Sequence, residues 1–179
     1  MAIIGIDNGT SGTIGFICGS GYEFYETPVK KTIDFTSSKT KNIHRLDIEE
    51  FSNLLKSFVE KAKKEEESLI CYMERPLINP ALFQASLIAV RCFEAQITIL
   101  EDLKISYTVF DSKAWQRKLL PKTNFKDKKL QRKALKENSK QVAIRLFPKC
   151  KDLIERHKDG DGLLIARCGF LIEGGECKK

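Results

Sequence analysis

Two short apolar runs in this chain each stop at a carboxylate. Residues 2–6 read AIIGI and end at Asp7, and residues 68–73 read SLICYM and end at Glu74. Short apolar runs bounded by turn signals predict buried strands. A charge at the tip of a buried strand is costly unless something pairs with it. The two runs therefore call for a well-covered sheet and for a use of acids at one of its edges. Simpler roles exist for each alone: Asp7 as a cap on the NGTSGT turn, and Glu74 as a partner for Arg75 or another base. Taken together, on strands that become neighbours, the two acids read as a site.

The rest of the pattern makes those strands neighbours. TIGFIC (13–18) and YEFYET (22–27) predict two more strands, close enough to form an antiparallel meander with the first. Residues 28–47 are polar and read as a long loop. Ile48, Phe51, Leu54, Leu55, Phe58, Val59 and Ala62 recur at helical spacing, giving a helix to about Glu66 with Asp47 as its cap. Pro76 and Pro80 then break the chain. Residues 81–101 are apolar on most faces, which predicts a well-buried helix, and ISYTVF (105–110) supplies a fifth strand. A short helix over 112–120 is followed by an unpatterned basic stretch, 121–136. A helix over 137–147 stops before Pro148, and a last one spans 160–172. A meander followed by crossovers predicts an α/β fold: a mixed five-stranded sheet with helices on both faces, in one domain over 1–179.

Charge is placed unevenly. Residues 113–158 carry 16 Lys or Arg against 4 Asp or Glu, while the remainder carries 15 against 20. About a quarter of the chain thus holds more than all of the +7 net charge, which suits a polyanion such as nucleic acid. A solvated basic helix face would look the same on count alone. The six cysteines are widely spaced with no CxxC pair. They read as small buried hydrophobes rather than as a zinc site, and imply a reducing compartment. No secretory signal and no uninterrupted membrane-length apolar run are visible, so the expectation is a cytoplasmic or organellar-matrix protein with no membrane partner.

A third acid is needed if the site holds metal. Hydrolysis of phosphodiesters by two divalent ions about 4 Å apart requires several converging carboxylates. The segment His157-Lys-Asp159-Gly-Asp161-Gly offers them. His157 and Asp161 lie four apart, on one face if helical, whereas Asp159 would diverge from Asp161 on a helix and suits a helix cap. His157 suits a ligand or a proton-transfer group.

These segments together resemble the RuvC-like Holliday junction resolvases of the ribonuclease-H-like superfamily, particularly the plastid and bacteriophage branch. IIGIDNGTSGTIGFI resembles the family's first strand and hairpin, and CYMERP the segment with its second acid. FDSKAWQRKLLP is similar to the plastid Ser-x-x-Trp-Lys region, and SKQVAIRLFP with HKDGDGLLIA to the closing block. The resemblance implies Asp7, Glu74 and Asp161 as metal ligands, His157 completing the site, and Mg2+ or Mn2+, two ions per site. It implies phosphate contacts from Lys113, Lys118, Lys136 and Lys140, with Trp115 packed under the basic loop. It further implies a homodimer that cuts opposed strands of a four-way DNA junction, with helix 81–101 lending a face to the dimer. Two positions depart from bacterial members: Lys158 stands where many have an acid or histidine, and Leu77 where many have an aromatic wedge. The first fits the plastid subtype.

Two other readings share these residues. A nuclease of the same fold acting on another branched or hybrid nucleic acid would need the same acids. Gly5-Ile-Asp-Asn-Gly-Thr-Ser also resembles the first phosphate loop of actin-like and sugar-kinase ATPases, although their second phosphate loop and adenosine motif are missing.

Overall fold

The computed structural model describes residues 1–36, 38, 40–122 and 127–174. Strands β1 (Ala2–Ile6), β2 (Thr13–Cys18) and β3 (Gly21–Glu26) are followed by β4 (Val29–Ile33), β5 (Asn42–Leu46) and helix α1 (Ile48–Lys64). Then come β6 (Leu69–Glu74), α2 (Phe83–Asp102), β7 (Ser106–Phe110) and α3 (Ser112–Leu119). The chain finishes with α4 (Lys128–Leu146), α5 (Lys151–His157) and α6 (Asp161–Ile172). Five strands form one sheet in the order β3-β2-β1-β6-β7. The β1–β2 and β2–β3 pairs are antiparallel, and β1–β6 and β6–β7 are parallel.

Every residue of β1 is buried, which is why it reads as a continuous apolar run rather than an alternating one. Its side chains feed two cores. Ile4 and Ile6 pack with Phe16, Phe51, Leu55, Phe58 and Leu100 under α1 and α2. Ile3 packs with Trp115, Ala143, Ile154 and Leu163–Ala166 under α3 to α6. The mixed sheet with helices on both faces is therefore as expected. The stacked rings of Phe16 and Phe58, 4.4 Å apart, tie α1 to the sheet.

Helix α6 lies unusually close to the sheet. A Cβ on Gly5 would collide with the backbone of Ala166 and Gly162, and one on Gly15 would come within 2.5 Å of Leu163 Cα. Glycine at both places lets the helix backbone rest on β1 and β2. Gly162 N donates to Thr13 Oγ1 at 2.9 Å, which fixes the helix start against the end of the hairpin.

Four expectations need correction. Residues 28–47 are not one loop: β4 and β5 pair into an antiparallel ribbon, whose mixed, half-exposed faces leave no clean alternation to read. Helix α4 begins nine residues before 137, at Lys128, capped by Asp127 Oδ1. Its first turns are largely exposed and need no apolar stripe. Residues 123–126, in the same basic stretch, lie outside the described residues. Helix α2 is only partly buried, with Phe83 at 64% exposure and Leu82, just before it, at 60%. By length and composition, Pro80–Asp102 would qualify as a membrane span, but Arg91 and Glu94 interrupt it, and Cys92, Ile99 and Leu100 belong to the core. Finally, a separate helix, α5, precedes α6. It ends in the left-handed residue Lys158, with φ 63°, so His157 and Asp161 are not on one helix.

The five described cysteines are free thiols, four of them buried. Cys177 lies outside the described residues.

Candidate active site

The parallel pairing of β1 with β6 sets the site. Ile6 is in register with Met73, so Asp7 and Glu74 leave adjacent strands at the same edge of the sheet. Asp7 N donates to Thr13 O at 2.9 Å, closing the β1–β2 hairpin, and the turn between them is tightened by Gly12 N to Gly9 O at 3.1 Å. Gly9 has φ 141°, a conformation that favours glycine. Asn8 Nδ2 donates to Ala89 O of α2 at 3.2 Å, so α2 braces this turn.

Glu74 is held from the β7 side. Trp115 Nε1 donates to Glu74 Oε2 at 2.9 Å, and Ser112 adds a side-chain hydrogen bond. Trp115 is fully buried in the second core, so its ring has no face for a base. Arg75 does not pair with Glu74; its guanidinium bonds Asp111.

Asp161 is the first residue of α6, delivered to the β1 edge by the close helix–sheet contact. Ser139 Oγ donates to its Oδ1, and its own N–H donates to Asp159 Oδ1 at 2.8 Å. Asp7, Asp159 and Asp161 each present an oxygen within 4.8 Å of the other two. Asp159 is thus both the brace of the helix start and a member of the group. This corrects the expectation that helix geometry separates the two acids: Asp159 precedes the helix and turns back.

The electrostatics of this group are unfavourable on their own. Burial pushes the Asp7 carboxyl well above its usual range, and the neighbouring charges of Asp159, Asp161 and Glu74 push it further. Burial and then Asp159 raise Asp161 to about 7. Burial raises Glu74 too, against the opposing hydrogen bonds from Trp115 and Ser112. The lysine that favours ionisation of Asp7 and Asp161 is Lys136. Asn8 Oδ1, beside Asp7, is buried with no partner among the described residues. An all-oxygen donor set with excess negative charge fits a hard divalent cation such as Mg2+ or Mn2+.

The other expected residues fall around the group. His157 closes α5, with Nε2 3.3 Å from Ser11 O and Nδ1 3.5 Å from Glu26 Oε1. It stands beside the turn that follows Asp7 and, like Glu74, is not one of the three residues whose oxygens converge within 4.8 Å. Lys136 and Lys140 share a face of α4 with Ser139, and Lys140 also pairs with Glu137 at 3.4 Å. Lys113 is exposed beside Ser112. The charge of Lys118 is felt at Cys168, seven residues along α6 from Asp161. A cleft of about 400 Å3 opens between Glu74, Asn8, Arg132 and the start of α2. Spacing does not reveal Ser139 or the Trp115–Glu74 bond, because both join segments more than twenty residues apart.

No protein-family model matches this sequence, and no curated protein is significantly similar to it. Among solved structures, Thermus thermophilus RuvC in complex with a Holliday junction substrate superposes with a TM-score of 0.54 and 10% identity, over 98% of this chain and 97% of that one. A second Thermus thermophilus RuvC structure gives 0.45 and 11%, over 98% of each chain. Identity this low speaks for the fold alone, and on the first of these matches the chain has the ribonuclease-H-like fold of RuvC along nearly its whole length.

Proposed function

We propose that this protein is a divalent-metal-dependent endodeoxyribonuclease that resolves four-way DNA junctions as a homodimer. The observation that carries the reading is the convergence of Asp7, Asp159 and Asp161 within 4.8 Å, with Glu74 on the adjacent strand tip. Support for the substrate comes from the fold shared with a RuvC bound to a Holliday junction, and from the basic segment 113–158. The plastid and bacteriophage branch rests on the Ser112–Trp115 region and on Lys158.

Asp7, Asp159, Asp161 and Glu74 would hold Mg2+ or Mn2+. When bound, such ions lower the pKa of an attacking water and stabilise the leaving oxygen. The chain's own residues prepare this. Trp115 and Ser112 fix the Glu74 carboxylate, and Ser139 fixes Asp161. Lys136 offsets part of the negative charge and, with Lys140, takes the phosphates beside the cut. Lys113 and Lys118 extend that contact along α3. His157 steadies the turn after Asp7 through the Ser11 carbonyl. Lysine contacts to phosphate position a duplex without reading its sequence.

The test is cleavage of a labelled four-way junction beside linear duplex, flap and RNA–DNA hybrid, with magnesium and with chelator. Symmetric, metal-dependent nicking of the junction is expected, and Asp7→Asn should abolish it. Better cutting of another substrate would keep the site and discard the junction. Absence of cutting with either metal, together with tight ATP binding, would favour the phosphate-loop reading instead.

A further inference from the structure

Between the β4–β5 ribbon and α2 lies a cavity of about 180 Å3. Its walls include Lys30, Thr32 and Arg45 from the ribbon, Arg91 and Cys92 from α2, and Thr10, over an apolar floor that includes Ile43, Leu46 and Ile88. Lys30 and Arg45 stand directly opposite one another across the ribbon. Like charges so placed destabilise an antiparallel pair, so the fold gives up stability to put them there.

Nearby acids offset two of the three charges in part. Lys30 Nζ is 3.7 Å from Asp47 Oδ1, and Arg91 Nη1 is 3.8 Å from Asp34 Oδ1, both long for ion pairs. Asp34 already accepts from Thr36 N at 3.1 Å and Thr36 Oγ1 at 2.7 Å. Arg45 has no ion-pair partner among the described residues. Arg91 is steadied by a 3.0 Å bond from Nη2 to Thr36 Oγ1.

The cavity is also tied to the carboxylate group. Thr10 belongs to the turn that follows Asp7. The Cys92 thiol hydrogen-bonds the Gly9 backbone and feels the Asp7 charge. Cavity and carboxylates therefore flank the same turn.

We propose that this cavity binds a backbone phosphate flanking the scissile one, which makes the β4–β5 ribbon and α2 a second phosphate track. The inference rests on the nuclease reading above. Two arginines, a lysine and two threonines along one cavity are residues whose donors suit a phosphate oxyanion. The shared chemistry is phosphate, on a DNA strand or free in solution, and the structure favours the strand because the cavity adjoins the cutting site.

The experiment is fluorescence anisotropy of a labelled four-way junction across a salt series, in chelator, for three proteins. These are the wild type, Lys30→Gln/Arg45→Gln, and a charge-matched control, Lys63→Gln/Lys64→Gln, on the exposed last turn of α1. The ribbon variant should bind about tenfold more weakly, and its slope of log K against log salt should shrink by about 1 to 2. Its thermal midpoint should stay level or rise, because a like-charge pair has gone. The control should lose no more than about twofold, its charges lying off the phosphate track. Equal affinity and slope for wild type and ribbon variant would overturn the proposal. So would an equal loss in the control, which would mean net charge alone matters. If millimolar inorganic phosphate raises the midpoint of the wild type alone while junction binding is unchanged in the variant, the cavity is a free-anion site and the strand contact is wrong. Wild-type protein that binds no DNA at all would instead defeat the nuclease reading, and this inference with it.

Discussion

Asp161 carries the cost of assembling the site. Its carboxyl is raised from 3.8 to about 7, first by burial and then by Asp159. A carboxyl whose folded pKa lies above its unfolded value takes up protons on folding between the two. Its contribution to stability is therefore harmless below about pH 4 and grows unfavourable as pH rises through about 7. Asp161→Asn removes that charge, and an asparagine oxygen can still accept from Ser139. Each tenfold change in proton affinity corresponds to about 1.36 kcal/mol, so the variant should gain on the order of a few kcal/mol at pH 7.5 without metal. That corresponds to a midpoint higher by about 5 °C or more. The gap between variant and wild type should close as pH falls to about 4, where both side chains are neutral. Magnesium should raise the wild-type midpoint and leave the variant's nearly unchanged, and the variant should not cut. Calorimetry at several pH values checks this. A variant no more stable than wild type at pH 7.5, or a gap that ignores pH, would mean the acid is comfortable as it stands and needs no cation.

Elements decide whether these residues meet, and their legibility in the sequence varies for physical reasons. Strands β1 and β6 are visible because a parallel strand covered on both faces must be apolar throughout, so Asp7 and Glu74 stand out as exceptions. The β4–β5 ribbon and the first half of α4 are invisible to hydrophobic patterning because neither buries a clean face. The sequence leaves Asp159 as a cap or as an alternative ligand to Asp161, because a helix starting at 160 would point the two apart; the actual start, at Asp161, turns Asp159 inward. The close seat of α6 is written in Gly5, Gly15 and Gly162, but one sequence gives no sign of which backbone approaches a glycine. That seat can be tested. Gly5→Ala places a methyl against the backbone of Ala166 and Gly162, which cannot swing aside as a side chain can. Helix α6 must lift, carrying Asp161 with it. The loss should be about 3 kcal/mol or more, or a midpoint lower by about 6–12 °C. Cleavage should fall at least tenfold even well below the melting range, though no acid is changed. Activity that survives in proportion to the folded fraction would show that the site tolerates movement of α6.

At the scale of the whole molecule, the proposed junction substrate would ask one site per chain to serve two strands. A four-way junction is two-fold symmetric, and paired cuts on opposed strands call for two sites related by the same symmetry. The surface beside the cleft offers a means. Leu77 and Ile78 are 81% and 67% exposed, and Leu82 and Phe83 at the start of α2 are 60% and 64% exposed. Four large apolar side chains clustered at one corner are unusual on a surface that faces only water. Leu77 and Leu82 line the cleft that also holds Glu74, so a second copy seated on this corner would bring its own carboxylates to the other side of the junction. Leu82→Asp/Phe83→Asp should abolish that contact without disturbing the core, since both side chains are mostly exposed, and the thermal midpoint at low protein concentration should hold. By sedimentation, the wild type should run as a dimer at micromolar concentration and the variant as a monomer. On a cruciform plasmid, which distinguishes one nick from two, the wild type should give linear product in one encounter. The variant should give nicked circles first, with linear product appearing only after a second, independent event. A wild type that sediments as a monomer while still making linear product in one step would break the link between this apolar corner and paired cutting.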